Sequence, residues 1–212
     1  LRSKTFVIGM VMTMLGLLFV FAMNVVIPVF LQTAKGMTPL GASLALAPGI
    51  LLTVAMGPIA GRMFDRHGGK LIVPLGFLVM AIFCSLVGWV AGGPSVVLFG
   101  LLYVPAVLST AFVIGPAQTF ALAQLDRETG PHGVTLISTS FQIAGCVGTS
   151  LGLGIYGAID QRGLSAGVPF ADASLHGFQA AVLLVVVTSF VGVALAIRST
   201  KLSQRAARAV AA

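Results

Sequence analysis

The chain has 212 residues, of which 58% are hydrophobic and only 8% are charged. An average soluble domain carries about 25% charged residues, so this composition excludes a soluble globular protein of this size. The net charge of +7 would indicate a nucleic-acid partner in a soluble protein. Here the Lys and Arg residues are grouped between long apolar stretches, which indicates a lipid bilayer as the partner and no nucleic acid.

Six apolar stretches run along the chain, and every Asp, Glu, Lys and Arg falls outside them. Since a helix rises about 1.5 Å per residue, about 20 apolar residues cross a hydrocarbon core of about 30 Å. We therefore predict an all-α membrane protein with six transmembrane helices in a single domain, 1–212. The predicted spans are approximately 6–31, 41–61, 71–91, 96–123, 133–159 and 177–197, followed by a basic tail, 198–212.

Local signals support these boundaries in chain order. Thr38 followed by Pro39 predicts the start of the second helix, and the run from Gly92 to Pro94 predicts a tight turn outside the membrane. The longest connection is expected at 160–175.

Cys84 and Cys146 lie inside predicted spans, where we expect packing residues rather than a disulfide. The sequence has neither metal-ligand spacing around these cysteines nor a Walker-type loop, so we expect no metal and no other cofactor.

The distribution of positive charge predicts the orientation. With the N-terminus in the cytoplasm, ten of the twelve Lys and Arg residues fall on the inside, and Lys35 and Arg162 fall outside. The ten are Arg2, Lys4, Arg62, Arg66, Lys70, Arg127, Arg198, Lys201, Arg205 and Arg208. This asymmetry places both termini in the cytoplasm, in the plasma (inner) membrane. Because the chain begins at Leu1 rather than Met, we expect a fragment of a longer protein.

A charged motif lies between the second and third spans, at the predicted cytoplasmic face. It consists of Gly61, Arg62, Asp65, Arg66, Gly68 and Lys70. We expect Gly61, with Gly57 one turn earlier, to let helix backbones approach closely. The single carboxylate can accept charge-assisted hydrogen bonds from an arginine, or lie at a helix N-terminus where the helix dipole favours an anion. Either arrangement could hold one conformation closed, so we name these six residues the latch motif.

The latch motif resembles the signature loop of the major facilitator superfamily, G-x-x-x-D-R-x-G-R-K. Residues 28–49 and the glycine-rich fifth span, with Gln142 and Gly145, resemble the drug:proton antiporters with fourteen spans, and the resemblance covers nearly the whole chain. It implies a six-helix half-bundle and proton-coupled efflux of drugs or other amphiphilic small molecules by alternating access. In the family the loop braces helices at the cytoplasmic side. Two positions depart from the pattern, since Gly69 replaces a basic residue and Phe141 stands where an arginine often precedes the glutamine.

The resemblance also indicates which half this is. The N-terminal half of such antiporters usually carries an acidic residue in its first helix and an arginine in its fourth, and this sequence has neither. The chain is therefore expected to be the C-terminal half, with the N-terminal half of the transporter as its missing partner. Because the six predicted spans contain no carboxylate, we expect the missing half to bind the protons.

Neutral polar residues inside the spans are the candidates for the substrate pathway, since the first, fourth and fifth helices of each half line the central cavity in the family. They are Asn24, Gln32, Gln118, Ser138 and Gln142. Each could instead hydrogen-bond between helices, at about 0.6 to 2 kcal/mol. We also expect Gly145, Gly148 and Gly152 to serve close helix packing.

Two other functions fit parts of the sequence. Residues 148–152 match G-x-S-x-G and His176 begins the sixth span, which would suit an intramembrane serine protease. Ser150 lies well inside the fifth span, whereas His176 lies at the outer edge of the sixth. A catalytic pair needs a hydrogen-bond distance of about 2.6 to 3.2 Å, so we expect no enzyme. A non-transporting scaffold or sensor is the second alternative, because fold does not determine function.

Overall fold

A computed structural model describes residues 4–126 and 128–210, and for His67, Lys70 and residues 201–210 it describes the backbone alone. Arg2 and Arg127 of the predicted inside set lie outside the described residues, as do the side chains of Lys70, Lys201, Arg205 and Arg208. The described residues form six helices: α1 Lys4–Thr33, α2 Pro39–His67, α3 Gly69–Val90, α4 Val96–Leu122, α5 Gly130–Ser165 and α6 Phe170–Val210. All six are long and apolar enough to cross a membrane, which confirms the predicted fold class.

The helix starts follow the local sequence signals. The hydroxyl of Thr38 accepts a hydrogen bond from the Gly41 amide at 3.1 Å, and Pro39 is the first residue of α2, as predicted. α3 ends at Val90, and the Gly93 amide closes the predicted turn by donating to the Val90 carbonyl at 2.9 Å. Ser95 then caps α4 by accepting from the Leu98 amide at 3.2 Å, a cap that the sequence analysis missed.

The connection between the fifth and sixth spans is shorter than expected. α5 continues to Ser165 and α6 begins at Phe170, so most of 160–175 is helical. α5 continues through Gly163. The missing side chain of this glycine lets α6 approach, since a Cβ there would lie 2.9 Å from the Cβ of Ala173. The break comes at Gly167, whose φ of +80° suits glycine, followed two residues later by a proline. Asp160 and Arg162 therefore lie within α5.

The predicted basic tail is helical as far as it is described, because α6 runs through to Val210. Residues 201–210 contain no glycine or proline and are rich in alanine, arginine and other strong helix formers, so nothing ends the helix at Arg198.

Four helices form the centre of the bundle. α1 and α3 each pack against both α4 and α6, while α2 lies against α4, and α5 lies against α1 and α6. At the end of α1 nearest Thr33, Phe30 stacks on Phe178 of α6 with 4.3 Å between ring centroids, and Phe99 of α4 contacts both rings. This aromatic contact joins three of the central helices.

The two free cysteines behave differently. Cys84 is buried in the core between the helices, whereas Cys146 is exposed on α5. The prediction of two unpaired cysteines is confirmed, and the packing role holds for Cys84 but not for Cys146.

Candidate functional site

One side of the bundle is formed by α2, α4, α1 and α5 in that order, and we call it the open face. Phe21 and Asn24 in the middle of α1 are exposed there, between α4 and α5. The ring of Phe21 reaches to α5, lying 3.4 Å from where a Cβ on Gly145 would be. Because central helix α1 is covered by α4, α5 and α6 elsewhere, this exposed strip is a groove along the bundle.

The exposed surface of α5 divides into two stripes. The stripe beside Phe21 is polar from residue 135 to residue 142, and its members recur at helical spacing: Thr135, Ser138, Thr139 and Gln142. The other stripe points away from the groove and is apolar: Leu136, Ile143, Val147 and Leu151. A helix whose two exposed stripes differ in this way meets two different environments, one suited to lipid and one suited to polar groups.

The structure does not bring the five pathway candidates to one point. Gly9 packs against Ala121 and Gly16 against Val113, so Gln118 lies near the level of Met12. On the other side of α1, Gly148 of α5 packs against Leu18. This contact places Gln142 and Ser138 near the level of Met12. Asn24 follows Met12 by twelve residues and lies about 18 Å further along the axis at 1.5 Å per residue.

Gln32 forms a hydrogen bond within its own helix. It is half-buried near the end of α1, and its side-chain amide donates to the Pro28 carbonyl of its own helix at 3.0 Å. Asn24, Ser138 and Gln142 are exposed on the open face, and Gln118 is half-buried beside it.

The glycines of α5 pack as expected. A Cβ on Gly148 would lie 2.9 Å from the Leu18 carbonyl oxygen, and one on Gly152 would lie 3.0 Å from the Cβ of Ala22. The expectation for α2 is wrong within this chain, since a Cβ on Gly57 or Gly61 would meet nothing within 4 Å. These two glycines leave a smooth, uncovered surface on the inner half of α2.

The latch motif lies at the end of α2 rather than in a loop. Asp65 is in the last turn of α2, so its carboxylate is not at the N-terminus of its own helix. Asp65, Arg62 and Arg66 are all exposed, and none of them forms an ion pair with another described residue. The side chain of Lys70 lies outside the described residues.

Gly68 of the latch motif and its neighbour Gly69 have local explanations. Gly68 adopts a φ of +69° between α2 and α3, a conformation that other residues rarely tolerate. A Cβ on Gly69 would lie 2.9 Å from the ring of Phe64, which accounts for a small residue where the family pattern has a basic one.

A cluster of three hydroxyls near the Thr33 end of α1 was missed by the sequence analysis. Thr33 lies 2.8 Å from the Tyr156 hydroxyl and 3.1 Å from the Ser174 hydroxyl, and the last two are 2.5 Å apart. The cluster joins α1, α5 and α6. One turn further along α5, the Asp160 Oδ1 atom is buried without a hydrogen-bond partner among the described residues. Asp160 thus packs against Gly177 of α6, one residue beyond the predicted end of the fifth span.

The sequence of this chain is similar to those of known membrane proteins. Residues 1–152 match the sequence model of the Major Facilitator Superfamily. The chain belongs to this superfamily. A Bacillus subtilis lincomycin resistance protein, LmrB, is 28% identical over 157 residues, which are 74% of this chain and 33% of that protein.

Two further relatives are also matched over only part of their own length. YcnB of Bacillus subtilis, named as an uncharacterized transporter of the superfamily, is 30% identical over 196 residues, 90% of this chain and 41% of its own length. A Mycobacterium tuberculosis multidrug resistance protein B homolog is 28% identical over 155 residues, 68% of this chain and 27% of its own length. The chain therefore spans between a quarter and two fifths of these relatives.

Superfamily membership confirms the predicted half-bundle of a multi-pass membrane protein, and superfamily members are transporters rather than enzymes. The geometry also speaks against the protease alternative, because Ser150 lies far from His176. Tyr156 is the α5 residue that faces Ser174 and Gly177, beside His176. Ser150 precedes Tyr156 by six residues, about 9 Å along the axis, and is exposed on another side of α5.

Proposed function

We propose that this chain is the C-terminal six-helix half of a proton-coupled efflux transporter that exports drugs or other amphiphilic small molecules by alternating access. The observation that carries the proposal is the polar stripe of α5 beside Phe21. Exposed to hydrocarbon, an amide such as Gln142 would cost about 1 to 3 kcal/mol. A second half-bundle facing the open face removes this cost and encloses a cavity between the halves.

The chemistry of the open face suits neutral recognition on this side of the cavity. Asn24, Gln142 and Ser138 offer hydrogen bonds, and Phe21 offers an apolar surface. Such a mixture fits bulky amphiphiles. Two of the relatives carry lincomycin or multidrug resistance in their names, which supports drugs as the substrate class. We assign proton binding to the N-terminal half, because the exposed side chains in the middle of this half are neutral.

The latch motif has the properties that a contact between the halves needs. Asp65 and Arg66 are exposed and have no ion-pair partner among the described residues, and the neighbouring Gly57 and Gly61 leave room for a close approach. We propose that the other half supplies the partner of Asp65 at the cytoplasmic side and that both termini are cytoplasmic, in the plasma membrane. In this arrangement the lipid bilayer surrounds both halves.

Reconstitution of the two halves tests the proposal. Liposomes with an imposed pH gradient and a fluorescent cationic dye would hold the 212-residue chain alone, or the same chain together with the N-terminal half of its transporter. We expect gradient-driven dye movement with both halves and none with the chain alone. The control is both halves without a pH gradient. Dye movement by the chain alone would overturn the assignment as a half and point to a functional homodimer, and movement without a gradient would overturn proton coupling.

A further inference from the structure

A second concave surface lies away from the open face, in a crevice between α2, α3 and α4. It encloses about 210 Å³, and its lining includes Met63 of α2, Leu75 and Val79 of α3, and Leu108 and Phe112 of α4. Ser109 is its polar lining residue, and this hydroxyl already donates to the Ala106 carbonyl of its own helix at 2.6 Å. The crevice therefore offers an apolar surface and makes no hydrogen-bonding demand on an occupant.

The mouth of the crevice opens toward lipid. Leu75 belongs to a row of exposed apolar residues that recurs at helical spacing along one side of α3: Leu71, Leu75, Leu78, Ile82 and Trp89. A continuous apolar row of this kind on a membrane-spanning helix faces hydrocarbon chains.

The depth of the crevice matches one leaflet of a bilayer. Val79 lies ten residues after the start of α3 at Gly69, or about 15 Å at 1.5 Å per residue. This is half of a hydrocarbon core of about 30 Å. An acyl chain that enters at the α2 and α3 ends therefore reaches about as far as the crevice extends.

Positive charge stands at the same end. Arg62 and Arg66 lie in the last two turns of α2, on either side of Met63 in the sequence, and both are exposed. Neither forms an ion pair with another described residue. Phosphate groups of anionic phospholipids bind such cations at the membrane surface.

We propose that the crevice binds an anionic phospholipid, with one acyl chain between α2, α3 and α4 and the phosphate against Arg62 and Arg66. The site needs no substrate, although Arg62 and Arg66 also belong to the latch motif that we propose to face the other half. It adds a lipid ligand to a surface that also carries the latch motif, which makes the last turns of α2 sensitive to the lipid composition of that leaflet.

Native mass spectrometry of the protein in mild detergent tests this site. The probes are phosphatidylglycerol and phosphatidylcholine with identical acyl chains. Leu75→Trp fills the mouth, and Leu78→Trp is its matched control on the same row. Arg66→Gln removes a cation, and Arg162→Gln removes one at the other end of the bundle. A thermal melt of each variant establishes that it is folded.

We expect phosphatidylglycerol to be retained in preference to phosphatidylcholine. Arg66→Gln should weaken phosphatidylglycerol binding about fivefold, the contribution of one cation near the surface. Leu75→Trp should weaken it by blocking entry of the acyl chain, while the two controls bind like the parent protein. Equal retention of the two lipids would overturn the headgroup assignment. Equal effects of the two tryptophans would overturn the crevice, and equal effects of the two glutamines would overturn the role of Arg66.

Discussion

Helices α2 and α5 both flank the central four helices, yet they are held in different ways. Gly148 and Gly152 bring α5 into backbone contact with α1, and the hydroxyl of Tyr156 joins it to α1 and α6. On α2, Gly49 packs against α4, where a Cβ would lie 2.8 Å from Val107, but Gly57 and Gly61 further along have no neighbour within 4 Å. The position of α5 is thus determined inside this chain, whereas the inner half of α2 presents a surface for something outside it.

The largest expected effect on this contrast comes from the glycines. Gly148→Leu should lower the free energy of unfolding by about 3 kcal/mol, because the side chain would push α5 off the Leu18 backbone. Gly57→Leu gains the same helix propensity, but its side chain meets open space, so we expect a change below about 0.5 kcal/mol. Equilibrium unfolding in detergent and denaturant measures both. Similar losses for the two variants would show that the inner half of α2 is packed after all.

The second prediction concerns what α2 presents to its partner. In the complete transporter, Asp65→Asn should reduce efflux about tenfold or more while membrane insertion is retained. The substitution removes the charge with almost no change in size, and a hydrogen bond to a charged group is worth about 1.5 to 3 kcal/mol. Glu128→Gln is the matched control, since it removes an exposed carboxylate from the connection between α4 and α5. Wild-type dye efflux by Asp65→Asn at normal expression would remove the latch assignment.

The third prediction separates two tyrosine hydroxyls. Tyr156→Phe should destabilise the bundle by about 1 kcal/mol, because the change removes hydrogen bonds that tie α5 to α1 and α6. Tyr103→Phe should have no destabilising effect, since the buried Tyr103 hydroxyl has no hydrogen-bond partner among the described residues. Thermal unfolding in the same detergent compares the pair. If Tyr103→Phe were the more damaging of the two, the hydroxyl cluster would not be what anchors α5.

The smallest expected effect is that of Ser150→Ala on the exposed surface of α5. The hydroxyl is exposed and has no partner among the described residues, so stability and efflux should both stay within experimental error. A peptide-cleavage assay should give no signal with either protein. Cleavage that disappears in the alanine variant would revive the protease alternative.

Much of the fold is predictable from the sequence because length and hydropathy alone decide how often a chain crosses a bilayer. The six spans, the start of α2 at Thr38 and Pro39, and the turn after Val90 all followed from local signals. The latch motif was found in the same way, since its residues are close together in the chain. The structure explains Gly68 of this motif by its positive φ, and the neighbouring Gly69 by its closeness to the ring of Phe64.

Tertiary structure decided the features that depend on residues far apart in the chain. The hydroxyl cluster joins Thr33 to Tyr156 and Ser174, and no local pattern marks a contact across more than a hundred residues. Which glycines pack depends equally on the neighbour, so Gly148 and Gly61 look alike in the sequence and differ in the bundle. The sequence by itself determined that this chain spans a membrane six times, because hydrophobic length is a local property. Only the packed structure decided which surfaces α2 and α5 leave uncovered, because burial is a property of the whole bundle.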